Sequence, residues 1–363
     1  MNLNQPVASV IIPTHNKDRL LRLAVKSVLR QDAQDFEVLI VGDGVTTSCR
    51  QTIEALLSED TRVIFLDFPK GPNHGEIYRH EAILSARSDA IFYLCDDDLF
   101  LANHITEMLN LLNHFDFVQS LNGRVQPDGG ISLYPGILSD PETRQWILRD
   151  DVRYNSVSIT GTAHSRSFYL AAGQYWETSP ANQWPDHHQW RRMFRNHDIR
   201  LMTSRRMTSL QFPSGEDSRD TWTEAQRFQE METWTEIISH QNAQEIVDQR
   251  LIDGISRQIG PIFRDTLQSR IEVLQASEDL NFVTGEFERR LELLSLETKQ
   301  EIETIRAETV EQVQNMNLQL QLNEQKFSQA VETIKRTISW RITSPLRRVR
   351  KFFPRKLKAR ARL

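Results

Sequence analysis

Ala90-Ile-Phe-Tyr-Leu-Cys-Asp-Asp-Asp98 decides how this chain is read. Its first half is a short apolar run of the length expected for a buried strand. Its second half sets three carboxylates, Asp96, Asp97 and Asp98, at the end of that strand. Neighbouring like charges repel and resist desolvation, so they settle in open water or around a cation. Open α/β sheets bind their ligands just past the carboxyl ends of the strands. Hard oxygen donors in such a place suit Mg²⁺ or Mn²⁺. The competing reading of the same triplet is a solvated acidic turn that caps the next helix.

Three similar runs precede it. Val7-Ala-Ser-Val-Ile-Ile-Pro13 opens into the loop Thr14-His-Asn16. Asp18 then caps a helix whose apolar residues Leu20, Leu21, Ala24, Val25 and Val28 fall at helical spacing. Phe36-Glu-Val-Leu-Ile-Val41 stops at Gly42-Asp-Gly44, and a helix follows around 52–57. Val63-Ile-Phe-Leu66 leads through Lys70-Gly-Pro-Asn-His-Gly75 into a helix over 77–86. Strands alternating with helices in this way predict a doubly wound α/β unit with a mostly parallel sheet. That topology brings the loops at Thr14, Asp43 and Asp96 to one edge, where they define a pocket.

The pattern then loosens. A helix is expected over 103–112, a strand over 117–121, a hairpin turn at Asp128-Gly-Gly130 and a strand over 157–164. A short helix over 168–172 follows, and Trp184-Pro-Asp-His-His-Gln-Trp190 opens another that ends near Asn196. A last strand is expected over 206–212, closing the first domain, 1–215. Residues 216–265 read as a helical linker. From Leu267 to Ile334 apolar residues recur at three-four spacing, which predicts a long helix or coiled coil over 266–340 and, through it, a homodimer. Residues 341–363 form a basic tail with Val349, Phe352, Phe353 and Leu357 interleaved. Such a tail suits an anionic membrane surface; a solubilising tail is the alternative.

Charge sharpens this division. The net charge of −5 is uneven: 341–363 hold 10 basic residues and no acid, which leaves −15 (−5 less 10) for residues 1–340. An acidic body argues against nucleic acid as a partner. With only two cysteines, Cys49 and Cys95, no disulfide framework exists, and a reducing compartment is expected. The polar start of the chain lacks the apolar run of a signal peptide, and no stretch approaches the ~18 apolar residues of a membrane span. The expected location is therefore cytoplasmic, peripheral at the inner face of the plasma membrane where the tail engages it. No zinc-finger spacing, His-Glu-x-x-His or phosphate-binding P-loop occurs.

Val10-Ile-Ile-Pro-Thr-His-Asn16, Val41-Gly-Asp-Gly44 and Tyr93-Leu-Cys-Asp-Asp-Asp98, in this order at the ends of alternating strands, resemble the family 2 glycosyltransferases, which have the GT-A nucleotide-sugar-binding fold. The resemblance covers about residues 7–215. The closing Ser339-Trp-Arg-Ile-Thr-Ser-Pro-Leu346 resembles the carboxyl ends of bacterial surface-polysaccharide transferases. It implies an inverting transfer of sugar from a nucleoside-diphosphate sugar to a glycan or lipid-linked acceptor, assisted by Mn²⁺ or Mg²⁺. By position it implies that Pro13, Thr14, His15 and Asn16 line the nucleoside and that Asp43 contacts base or ribose. Arg79 would reach the diphosphate; Asp96, Asp97 and Asp98 match the metal motif, with Asp96 also facing the donor. Many relatives carry an acid at Cys95 and a second acid and a hydroxyl around Asp43, which Gly42 and Val45 replace here. Asp186, in Trp184-Pro-Asp-His-His, matches the catalytic base, with His187 and His188 as runners-up and an N-cap as its structural alternative. His164 resembles an acceptor-side position or else a core histidine. His74 is a loop histidine facing the same edge.

A rival of another class is a non-catalytic nucleotide-sugar scaffold assembled through its coiled coil. The departures at Gly42 and Cys95 motivate it.

Overall fold

The computed structural model describes residues 5–134, 136–149, 155–173, 175–213, 219–275, 289, 290 and 292. The amino-terminal half alternates as its apolar runs require: β1 (Ala8–Thr14), α1 (Asp18–Leu29), β2 (Phe36–Asp43), α2 (Thr47–Glu59), β3 (Val63–Phe68), α3 (Tyr78–Ser85) and β4 (Ala90–Tyr93). Shorter elements follow: β5 (Leu99–Phe100), α4 (His104–Leu112), β6 (Phe117–Gln119), β7 (Gly123–Val125), β8 (Ile131–Leu133) and α5 (Pro141–Ile147). Then come β9 (Thr162–Ser165), α6 (Arg166–Ala172), α7 (Pro185–Phe194), β10 (Leu201–Thr203), β11 (Ser209–Leu210), α8 (Glu224–Ile238) and α9 (Ala243–Gln275).

The main sheet has the order β10-β6-β9-β4-β1-β2-β3. All its pairs are parallel except those of β9, which runs antiparallel to both β4 and β6. The order β3-β2-β1-β4 reverses direction of travel at β1, so a crevice opens between the carboxyl ends of β1 and β4. Strand periodicity divides the core between the two faces. Val10 and Ile12 of β1 pack under α1 and α2, whereas Ile11 faces α3 and α7. All five apolar residues that signalled α1 are buried.

Several sequence expectations are corrected here. The strand expected over 157–164 is confined to β9, and its first part is loop. The strand expected over 206–212 survives as the two-residue β11, paired with β5, while β10 takes the edge of the main sheet. Helix α5 was not foreseen. The turn at Asp128-Gly-Gly130 does join a hairpin, β7 to β8, with Gly129 at φ +77°.

The compact amino-terminal unit runs Met1–Ile255, beyond the expected boundary at 215. Met231, Trp234 and Ile238 of α8, with Val247 and Leu251 of α9, join the same core as β1 and α1. Helix α8 and the first part of α9, within the stretch expected as a linker, therefore belong to this unit. The second unit is Ser256–Leu363, and α9 enters it with Pro261 inside the helix. The coiled coil expected over 266–340 falls almost wholly outside the described residues, and the basic tail over 341–363 entirely so. Among the described residues no helix is long and apolar enough to cross a membrane.

Candidate active site

The carboxyl ends of β1, β2 and β4 deliver Thr14, Asp43 and the acidic triplet to one edge. Asp96, Asp97 and Asp98 are only 8, 8 and 6% exposed. Open water is therefore not where they sit, and the solvated-turn reading fails. Each acid has a distinct set of partners. Thr14 Oγ1 donates to Asp96 Oδ2 at 2.7 Å. Asp97 Oδ2 accepts from the Lys17 ammonium and, at 3.3 Å, from Arg227 of α8. Asp98 is held by the Thr160 hydroxyl and by the Phe212 N–H at 2.8 Å. Lys17 Nζ also lies 3.7 Å from Asp96 Oδ1.

Three buried acids thus share two cations. Burial, with the Asp97 charge adding and the Lys17 ammonium opposing, raises Asp96 to about 6. Burial and then the Asp97 charge raise Asp98 to about 7. Burial works against the Lys17 ammonium too, but Asp97 and Asp96 together outweigh it and raise its pKa. The cluster is short of positive charge, and its donors are carboxylate oxygens, so the residues fit a hard divalent cation. Cys95 Sγ and one oxygen each of Asp97 and Asp98 lie within 4.8 Å of one another. Burial pushes the Cys95 thiol well up, which keeps it protonated and a poor ligand. Both oxygens of Asp98 are taken by Thr160 and Phe212, which leaves Asp97 and Asp96 the freer donors.

Asp43 is 5% exposed at the end of β2. Its Oδ1 accepts the Gly71 N–H at 2.6 Å, and its Oδ2 pairs with Lys70. The loop after β3 is thereby wrapped around this carboxylate. Gly75 makes the wrap possible: it sits at φ +62°, and a Cβ there would lie 2.3 Å from Asp43 Cγ. His15 Nδ1 lies 2.8 Å from the Asp43 carbonyl oxygen, which ties the Pro13–Asn16 loop to β2. Asn16 and His74 are exposed.

Arg79, on α3, is 7% exposed. Its Nε and Nη1 have no hydrogen-bond partner among the described residues, and its guanidinium lies 4.7 Å over the Trp176 ring. A buried cation with open donors is costly unless something anionic arrives. The loop that leads into α3 is fixed from the other side. Glu76, fully buried, accepts the Ser179 N–H at 2.8 Å, its hydroxyl at 2.7 Å and the His74 N–H at 3.0 Å.

Asp186 stands in the first turn of α7, after Pro185. Its Oδ2 accepts the Ile159 N–H at 3.2 Å and its Oδ1 the His187 N–H at 2.9 Å. Burial raises its pKa, while those N–H groups and the Arg79 charge oppose. Helix α7 is positioned by Trp190, which packs edge-on against Phe117, Trp176 and Tyr93 at 4.8, 5.3 and 5.8 Å. The same aromatic cluster takes in His164, and here the acceptor-side expectation is corrected. His164 is fully buried, with Nε2 2.8 Å from the Tyr93 hydroxyl and Nδ1 3.0 Å from the Ser165 carbonyl oxygen. It is a core histidine, held neutral because burial lowers its pKa to about 4. His187 is buried on α7, and His188 Nδ1 and Nε2 lie 3.1 and 3.0 Å from Gln183 and Glu177.

Lys17, Arg227, Thr160 and Lys70 were missed. Lys17 had a signal, since it follows the Pro13–Asn16 loop directly. Arg227 had none, because α8 returns to the site from 130 residues away.

Residues 9–171 match the family described as Glycosyl transferase family 2. This stretch, somewhat under half of the chain, thus carries a family 2 glycosyltransferase domain. A GalNAc(5)-diNAcBac-PP-undecaprenol beta-1,3-glucosyltransferase of Campylobacter jejuni is 27% identical over 111 residues, 30% of this chain and 35% of that one. A putative colanic acid biosynthesis glycosyl transferase of Escherichia coli, WcaA, is 30% identical over 166 residues, 42% of this chain and 57% of that one. The chain thus spans between about a third and just over half of these relatives. Among solved structures, S. aureus TarS has a TM-score of 0.45 at 17% identity, with 69% of this chain and 43% of that chain covered. TarS 1-349 in complex with UDP-GlcNAc has a TM-score of 0.44 at 17% identity, with 70% and 72% covered.

Proposed function

We propose that this chain is a metal-assisted, inverting glycosyltransferase of the GT-A type that takes sugar from a nucleoside-diphosphate donor. The observation that carries this is buried Arg79, with open Nε and Nη1 and close enough to interact electrostatically with Cys95, which precedes the cation-deficient acidic triplet, and with Asp186. A diphosphate is the group that answers both: it satisfies the guanidinium and accompanies a divalent cation. Asp97 and Asp96 would hold Mn²⁺ or Mg²⁺, with Asp98 fixed behind them by Thr160 and Phe212. Bound there, the cation would supply electrostatic stabilisation of the departing diphosphate. Asp43, Lys70, His15 and Thr14 form the nucleoside end of the pocket.

Direct displacement at the anomeric carbon needs a base for the acceptor hydroxyl. Asp186 fits that role: burial raises its pKa, and two backbone N–H groups aim its carboxylate. The acceptor is a glycan or a lipid-linked glycan of surface polysaccharide synthesis. Two relatives support this by name, one for an undecaprenol-linked oligosaccharide and one for colanic acid. Peripheral membrane contact through the basic tail and dimerisation through the carboxyl-terminal helix belong to the same reading.

The test is a screen of UDP-, GDP- and dTDP-sugars with Mn²⁺ and the full chain, scored for nucleotide release and sugar transfer. Turnover that EDTA stops and Asp186→Asn removes is the expected outcome. Nucleotide binding without turnover of any donor would favour the non-catalytic scaffold.

A further inference from the structure

Trp184 is 62% exposed, more than any other large hydrophobic residue among those described. Single exposed apolar side chains are ordinary. What sets this one apart is its address and its mounting. It is the N-cap residue of α7, two positions before Asp186, so their Cα atoms lie within about 7 Å by chain geometry. Its backbone is fixed on both sides. The Trp184 carbonyl accepts the His188 N–H at 2.9 Å, buried Pro185 starts the helix, and the Gln183 N–H closes a turn onto the Pro180 carbonyl at 2.9 Å. The indole itself makes no hydrogen bond and no ring contact with any described residue. It contributes little to the core, in contrast to Trp176 and Trp190, which are 2% and 0% exposed.

The residues around it are polar and held in place. Gln183 Oε1 lies 3.1 Å from His188 Nδ1, and His188 Nε2 lies 3.0 Å from the half-exposed carboxylate of Glu177. A flat indole on a fixed backbone, adjoining the Gln183 amide in the chain, matches a pyranose, which has an apolar C–H face and a rim of hydroxyls. Rigid aromatic side chains offer such contact area at small entropic cost. We propose that Trp184 is the platform on which the acceptor sugar stacks, with Gln183 and Glu177 beside its hydroxyls, so that one hydroxyl is presented to Asp186. This rests on the transferase reading above.

Binding can be measured without turnover. Methyl β-glycosides of glucose, galactose, N-acetylglucosamine and N-acetylgalactosamine are titrated into the full chain by saturation-transfer NMR. At least one should bind with transfer concentrated on the C–H protons of one ring face. Trp184→Ala should weaken it at least tenfold, and Trp184→Phe by a smaller factor. UDP binding with Mn²⁺, measured in parallel, should be the same in all three chains. No glycoside binding by the wild-type chain, or equal binding by Trp184→Ala, overturns the platform. Loss confined to binding of vesicles with anionic lipid also overturns it and makes Trp184 a membrane contact. Failure of the UDP arm in the wild-type chain counts against the donor site and leaves the glycoside result to be read separately.

Discussion

The Thr14 hydroxyl donates to Asp96 across 2.7 Å, joining the carboxyl end of β1 to the loop after β4. These strands flank the point where the sheet changes its direction of travel, so one hydrogen bond spans the crevice in which ligands of such sheets bind. The acid cluster and the first loop are therefore a single structure. Cations reach it from two sequence-distant elements, Lys17 before α1 and Arg227 on α8.

Burial of the Arg79 guanidinium is costly, because its Nε and Nη1 lack partners among the described residues. Arg79→Met should leave thermal stability near wild type, since relief of the desolvation cost of a buried guanidinium with two open donors offsets its lost attraction to Asp186 and Glu76. The same change should weaken nucleoside-diphosphate binding about 10- to 100-fold, from the ~1.5–3 kcal/mol of a charge-assisted hydrogen bond. Thermal melts and calorimetry on the one variant separate the two effects.

Lys17 restrains repulsion between Asp96 and Asp97. Lys17→Met should lower stability in EDTA by about 1–2 kcal/mol. That is less than for a fully buried pair, because the Lys17 side chain is 35% exposed. Mn²⁺ should restore most of the loss. A melting temperature that Mn²⁺ does not move in this variant would count against the site.

The reach of the sequence ended where elements became short or partners distant. β1 to β4 were readable because each is an uninterrupted apolar run flanked by loop residues, and the burial of β2 along its whole length shows why such a run persists. β10 is only Leu201–Thr203, too short to show alternation, and its place in the sheet is set by β6 rather than by its own pattern. For His164 the family resemblance suggested the acceptor side with a core histidine as the alternative, and β9 is an interior strand between β4 and β6, where the Tyr93 hydroxyl lies against the ring. The acidic triplet was legible from its place at the end of an apolar run, whereas Asp186 entered through the family resemblance alone. Arg227 was not legible, since only tertiary folding brings α8 to Asp97.

Buried histidines give the fold an acid-side weakness. Burial lowers His104 to about 3 and His164 to about 4, against an unfolded value of 6.5. Between pH 6.5 and about 4 the unfolded chain takes up these protons and the folded chain does not, so each histidine makes stability fall as pH falls, by up to ~1.4 kcal/mol per pH unit. Asp96 and Asp98, raised to about 6 and about 7, act with the opposite sign in the same window. The histidine part is therefore read as a difference. His104→Asn should flatten the pH dependence of denaturant-measured stability relative to wild type between pH 6.5 and 4, and parallel curves would contradict this.

Asp186→Asn keeps the size of the side chain and one acceptor for the N–H groups of Ile159 and His187, but removes the base. Transfer should fall about 10²- to 10⁴-fold. Nucleotide affinity and the melting temperature should stay near wild type. A comparable fall in nucleotide affinity would reassign Asp186 from base to donor binding.

The most direct measurement is calorimetric titration of UDP into the full chain with Mn²⁺, with EDTA, and with Mn²⁺ after Asp97→Ala. Binding in the first case, and its loss by at least tenfold in the other two, is the expected result. Equal UDP affinity in all three would contradict a divalent cation held by these acids as the grip on the donor.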